Sequence, residues 1–271
     1  MKVFGYPTFD TNGEMILTTY ENEYSHMKMD IRVYKLKAGE RRKFGTDFEE
    51  VAVLLLKGKG CFLIEGKQYS ISRKSVFLEG PYAAHIAKDN KIEVVADSEM
   101  EILVQKTKND KRFSSKVYTP KDIVWAYSSK GKFGNVANRR VNTIFDYDKE
   151  PDSNMVLGEV LNDPGNWSGY LPHRHKQPEC YYFLFDHPEG FGASFVGDQV
   201  FKSVNHSFSA IPGGELHPQV TAPGYQMYTC WMIRHLDGNP WLQTDRCEDE
   251  AFTWLHDAYY NEVTNSFQKG E

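Results

Sequence analysis

Val51-Ala52-Val53-Leu54-Leu55-Leu56, then Gly58-Lys59-Gly60, then Cys61-Phe62-Leu63-Ile64, then Glu65-Gly66-Lys67, then Gln68-Tyr69-Ser70-Ile71 is the stretch that decides the fold. Three apolar runs, each short enough for a strand and too short for a helix, are separated by glycine-bearing tripeptides of turn composition, which predicts an antiparallel meander. The same rhythm continues outward. Ser75 to Pro81 is expected to start and stop another strand, and Ile92–Val95 and Met100–Val104 follow. Short strands at regular spacing with glycine punctuation predict an all-β chain built as closed barrels or sandwiches.

A second series of the same kind follows a break. Lys106 to Lys116 is polar, and Thr119-Pro120 with Ser128-Ser129-Lys130-Gly131-Lys132 reads as a bridge. Strands then resume over Met155–Leu161, through the run ending at Phe185, and over Gln199–Val204, Ser207–Ile211, Gln219–Ala222 and Met227–Arg234. The expected organisation is a barrel over residues 1–115 and a second over 116–271. A short C-terminal helix is expected over Cys247–Tyr259, where acids occupy the first turn.

The chemistry concentrates in the second series. Pro172-His173-Arg174-His175-Lys176-Gln177-Pro178-Glu179 is followed some way on by Pro212-Gly213-Gly214-Glu215-Leu216-His217. Side chains alternate on an extended strand, so His173 and His175 share a face and the even offset returns Glu179 to it. Nine histidines in 271 residues would produce this His-x-His-x3-Glu pattern by accident only a few hundredths of a time, roughly. The aromatic run Tyr181-Tyr182-Phe183-Leu184-Phe185 directly after it must be buried, which argues against a solvated His-rich turn. Three imidazoles and a carboxylate suit a borderline divalent cation, zinc, manganese, iron or nickel, rather than calcium or magnesium. The first series contains only His26 and His85 and no such pair. That barrel is expected to be structural, with His85 a satisfied core histidine.

Composition bounds the alternatives. The formal charge of -5 comes without any basic block, so no nucleic-acid footprint is expected. No segment approaches the roughly 18 apolar residues of a membrane span or the h-region of a signal peptide, which predicts a cytoplasmic protein with no membrane partner. The four cysteines are widely spaced and mostly strand-embedded, as reduced core thiols are, and Cys180 should face away from the metal because it follows Glu179. The 16 Tyr, 17 Phe and 5 Trp exceed what two small cores need, so a homo-oligomer is expected.

The paired motifs resemble those of the cupin superfamily. More narrowly, the chain resembles the two-barrel 5-deoxy-glucuronate isomerase family of inositol breakdown, related to the 5-keto-4-deoxyuronate isomerases. The resembling stretches are Ser75 to Pro81, Gly158-Glu159-Val160, Pro164-Gly165-Asn166-Trp167-Ser168, Pro188 to Gly192 and Ala222 to Tyr225. The chain departs from that family's usual pattern at Lys176, where an aspartate is common, and at Asn142, where a histidine is. The resemblance implies double-stranded β-helix (cupin jelly-roll) barrels, two per chain. It implies a metal-dependent aldose-ketose isomerase converting 5-deoxy-glucuronate to 2-deoxy-5-keto-gluconate, or acting on a closely related sugar acid. An ion gripping carbonyl and hydroxyl oxygens suits that chemistry without a redox cofactor. Candidates for the proton-carrying group are Glu179, Tyr181 and Glu215, and for the substrate carboxylate Arg139 or Arg234. Two other readings remain open on the sequence: an iron-dependent dioxygenase with the same ligands, and a non-catalytic sugar-binding double barrel.

Overall fold

A computed structural model describes residues 1–261, 263–264 and 266–270. The architecture is all-β, two curled double-stranded β-helix barrels packed back to back. In the first, Glu49–Ile64 is the central strand. Its early part pairs with Ala83–Ile86 and Met100–Lys108, and its later part pairs with Lys67–Arg73 and Ile92–Ala96. Gly58-Lys59-Gly60, expected as a turn, is the bend that carries this one strand from one sheet of the barrel to the other. The register shifts between Leu55 and Lys57, and a Cβ on Gly60 would stand 2.0 Å from the carbonyl oxygen of Val95. Only glycine lets the backbones approach so closely at a barrel corner.

The second barrel faces a seven-stranded sheet against a four-stranded one. The larger sheet runs in the order Phe4–Gly5, Phe208–Ile211, Glu179–Phe185, Met227–Arg234, Met155–Asn162, Arg139–Phe145 and Ala126–Ser128. The smaller runs Trp167–Ser168, Gln219–Thr221, Phe191–Val196 and Gln199–Val204. Strands are exchanged at the ends: Phe4–Gly5 pairs in the second barrel, while Lys116–Tyr118 pairs with Ala83–Ile86 in the first.

Three hydrophobic cores result, one inside each barrel and one between them. Along Glu179–Phe185 the residues Tyr181, Phe183 and Phe185 enter the second barrel, and Cys180 and Tyr182 enter the core between barrels. Along Glu49–Ile64 the residues Val51, Val53 and Leu55 fill the first barrel, and Ala52, Leu54 and Leu56 meet the second. Both faces of these strands are therefore buried, which is why they read as continuous apolar runs rather than alternating ones.

Two further expectations change. Ser75 to Pro81 is a turn, with the Ser75 carbonyl accepting from the Leu78 and Glu79 amides and Ser75 Oγ from Phe77 N–H. Of that apolar run Val76 is buried in the core between barrels and Phe77 packs against it, while Leu78 is exposed. The C-terminal helix is a single four-residue 3-10 turn, Thr253–His256, because Cys247–Glu248 is captured as a strand by His173–Arg174. Among the described residues no helix is long and apolar enough to cross a membrane.

Candidate metal centre and its cavity

His175, Glu179 and His217 are buried, and one donor atom from each falls within 4.8 Å of the others. Among the described residues this is the only such cluster of three or more His, Cys, Asp or Glu side chains. The link between the two motif halves is backbone. Gly214 N–H donates to the carbonyl of His175 at 2.7 Å, and a Cβ on Gly213 would lie 1.9 Å from the Lys176 oxygen. The Pro212-Gly213-Gly214 loop thus sits directly on the first motif and delivers His217 beside it. The convergence does not come from one continuous strand, since His173–Arg174 is a two-residue strand and residues 175–178 bend before Glu179 resumes.

The donor set fits a divalent ion. His175 Nε2 is 3.0 Å and His217 Nε2 3.3 Å from the same Glu179 oxygen. His217 Nδ1 donates to the Glu215 carbonyl at 2.8 Å, which leaves Nε2 with its lone pair turned inward, the arrangement a metal-bound imidazole needs. Burial alone would raise the Glu179 carboxyl, but the hydrogen bond from His175 and the adjacent His217 ring prevail and hold it below the usual carboxylate range. His173 stands just outside the trio, its ring centroid 4.7 Å from that of His217. Burial, reinforced by repulsion from His217 and Arg246, pushes its pKa down to about 2, so the ring is neutral. Its Nδ1 lies 3.1 Å from the Leu171 carbonyl and 3.2 Å from Arg246 Nη2. These two contacts need opposite tautomers, and only the carbonyl contact leaves Nε2 free for a metal.

A cavity of about 250 Å³ opens beside these groups, lined by Arg139, Tyr181, Trp231, Trp241 and Arg246 among others. That is small for a ligand pocket and matches a single sugar rather than an oligosaccharide. Tyr181 opposes Trp231 in register, and burial, with Glu179 nearby, keeps its phenol protonated far above the usual range. Arg139 is buried and donates to neutral oxygens only, those of Ala137 at 3.0 Å, Ser129 at 3.3 Å and Tyr170 at 3.4 Å. Burial and the repulsion of Arg246 lower its pKa to about 10. Both indole N–H groups, of Trp231 and Trp241, are buried without a protein partner among the described residues.

The remaining candidates lie elsewhere. Glu215 is exposed; it serves His217 through its backbone carbonyl, and its carboxyl does not line the cavity. Arg234 follows Met232 on the face turned toward the first barrel. Its Nε donates to Thr107 Oγ1 at 2.9 Å and its Nη2 stands 3.7 Å from Asp237. Strand parity excludes it from the site: Trp231 and Ile233 face inward, so Arg234 cannot. Asn142 is a structural residue, accepting from Glu159 N–H and donating to Glu159 Oε2 at 3.0 Å beneath the sheet. Trp231, Trp241 and Arg246 were not legible as site residues. Trp231's inward parity needed the strand register, and the others sit on an irregular segment whose path depends on contacts with distant residues.

The sequence pattern of the KduI/IolB family matches residues 6–255. Similar proteins include the 5-deoxy-glucuronate isomerase of Geobacillus thermodenitrificans, 26% identical over 241 residues that cover 79% of this chain and 86% of that one. The 5-deoxy-glucuronate isomerase of Bacillus subtilis is 26% identical over 231 residues, covering 78% and 82%. Among solved structures, an IolB-like protein from Salmonella typhimurium superposes with a TM-score of 0.84 at 20% identity, over 94% of this chain and all of that one. The oxalate decarboxylase of Lactobacillus farciminis reaches 0.64 at 11% identity, over 86% of each chain.

Proposed function

This chain belongs to the KduI/IolB family, and on that premise we propose that it is a metal-dependent aldose-ketose isomerase that converts 5-deoxy-glucuronate, or a closely related uronate, to the corresponding 2-keto sugar acid. For 5-deoxy-glucuronate the product is 2-deoxy-5-keto-gluconate, which places the protein in inositol breakdown. The observation that carries this reading is one small cavity holding a buried His175-Glu179-His217 cluster and the uncompensated guanidinium of Arg139. A sugar acid has a carbonyl end for the first and a carboxylate for the second.

His175, Glu179 and His217 would hold the ion, with His173 Nε2 as the fourth ligand. Zinc or manganese suits the set best, and iron or nickel also fits. When bound, the ion supplies Lewis-acid polarisation of the substrate carbonyl. The chain's own groups move the protons. A Glu179 oxygen takes the proton from C2 and returns it to C1. The Tyr181 hydroxyl, protonated because it is buried, donates to the carbonyl oxygen at C1 and takes back the proton of the C2 hydroxyl. Hydrogen is only relocated, so no redox partner is required. Trp231 and Trp241 exclude water, and Arg139 orients the chain of carbons by its carboxylate.

Metal-loaded protein incubated with 5-deoxy-glucuronate is expected to give the ketose signals by NMR, and deuterium placed at C2 of the substrate is expected to appear at C1 of the product. Failure to turn over the uronate with zinc, manganese, iron and nickel each in turn would refute the reading. Oxygen consumption with a catechol or thiol would instead favour dioxygenase chemistry.

A further inference from the structure

Residues 241–249 form a strap along the cavity, which Trp241, Gln243 and Arg246 help to line. It begins at Trp241, whose backbone N–H donates to His235 Nδ1 at 2.9 Å. It ends where Cys247–Glu248 pairs with His173–Arg174 and Arg174 bridges to Asp249. Between these anchors Arg246 turns into the cavity beside Tyr181 and Arg139. Its Nε is buried and has no partner among the described residues. Its one polar contact among the described residues is His173 Nδ1 at 3.2 Å. That contact is incompatible with the metal-binding tautomer, in which Nδ1 carries its proton toward Leu171. Once His173 Nε2 turns its lone pair to an ion, Arg246 loses its acceptor. Two guanidiniums then share one small cavity, neither paired with a carboxylate among the described residues.

We propose that Arg246 is the specificity-determining residue of this cavity: its guanidinium, delivered by the strap, and that of Arg139, delivered by the barrel wall, close on the two oxygens of the substrate's carboxylate. The inference rests on the sugar-acid reading above and deepens it, since it names the group that separates an acid from its neutral analogue. Two guanidinium forks from different segments explain why the strap is tied to the ligand strand. A bound carboxylate would tie the strap to the barrel wall through Arg246 and Arg139.

The test uses metal-loaded full-length protein and a matched pair of ligands that cannot isomerise, D-gluconate and D-gluconamide, measured by calorimetry. Steady-state turnover of 5-deoxy-glucuronate and its carboxamide is measured alongside. Wild-type protein is expected to prefer each acid over its amide. Arg246→Gln is expected to weaken acid binding by about 10- to 100-fold, the range for losing a charge-assisted hydrogen bond, with little change for the amide. Arg246→Lys should restore part of the preference, because the charge returns without the fork. An equal loss for acid and amide in Arg246→Gln would mean that Arg246 merely props His173, and would overturn the proposal. So would a wild type with no preference. Should Arg246→Gln fail to fold, the acid-to-amide ratio in Arg246→Lys and Arg139→Gln decides. If no uronate turns over yet gluconate selectivity is present and lost in Arg246→Gln, the isomerase reading fails while this inference stands.

Discussion

Gly158 has no side chain because Trp231 occupies its place: a Cβ there would lie 2.3 Å from the indole. Gly158→Ala is therefore expected to displace Trp231 into the cavity. The stability loss should be about 1–3 kcal/mol, as for an overpacked core, with a larger fall in kcat/KM, both checked by denaturant titration followed through tryptophan fluorescence and by turnover assays. Tyr181→Phe leaves packing and metal ligands in place and removes only a proton donor. A 10²- to 10⁴-fold fall in kcat with unchanged metal content by elemental analysis is expected, as for loss of a general acid, roughly. At this scale the sequence was informative about types and poor about directions. Tyr181 could be assigned to the Glu179 face by parity, whereas the exposed side of Glu215 depends on how the Pro212-Gly213-Gly214 loop lies on Lys176.

Strand parity organises the elements, since alternate residues of one strand serve the cavity side and the core between barrels. It was legible where a strand is unbroken, as in Glu179–Phe185, and failed at His173 to Glu179, where residues 175–178 bend. The strap depends on a different kind of signal. His235 Nδ1 accepts from Trp241 N–H, so the ring must stay neutral or protonated only at Nε2. Burial, with Arg234 beside it, lowers its pKa from 6.5 to about 4. His206 is lowered likewise to about 4 by burial and by Lys35 and Lys57. Above pH 6.5 both histidines are neutral folded or unfolded and cost nothing. Between about 6.5 and 4 the unfolded chain binds protons that the folded one refuses, so stability falls as pH falls through this window. Melting temperatures of metal-free protein across that range are expected to drop, and His235→Asn should flatten part of the slope.

Across the whole molecule, the third core is what makes two barrels one body. At its centre Arg73 of the first barrel, fully buried, meets Glu159 of the second through Nη1–Oε1 at 2.7 Å and Nη2–Oε2 at 3.1 Å. Tyr228 donates to Oε1 at 2.8 Å, Asn142 to Oε2 at 3.0 Å, and Arg73 also reaches the carbonyls of Leu55 and Glu79. His85 makes a second link, 3.1 Å from Glu50 and stacked at 4.1 Å on Phe145, while Glu50 accepts from Ser153 and Asn154. Glu159→Ala would strand a buried guanidinium, and a loss of about 3–5 kcal/mol by urea unfolding is expected. Replacing the pair with apolar residues should cost much less. Many of the aromatic residues that seemed too numerous for two cores lie here, among them Tyr24, Phe145, Tyr182, Phe208 and Tyr228.

The sequence by itself determined the all-β class and the layout in two series of strands, and it singled out His173, His175, Glu179 and His217 as candidate ligands. These follow from composition, local periodicity and spacing, which act between near neighbours. Only the tertiary structure decided that Arg234 lies outside the cavity, that Asn142 braces Glu159, and that Trp231, Trp241 and Arg246 complete the site. Their placement depends on strand register and on contacts between segments far apart in the chain, and no short window of residues carries that information.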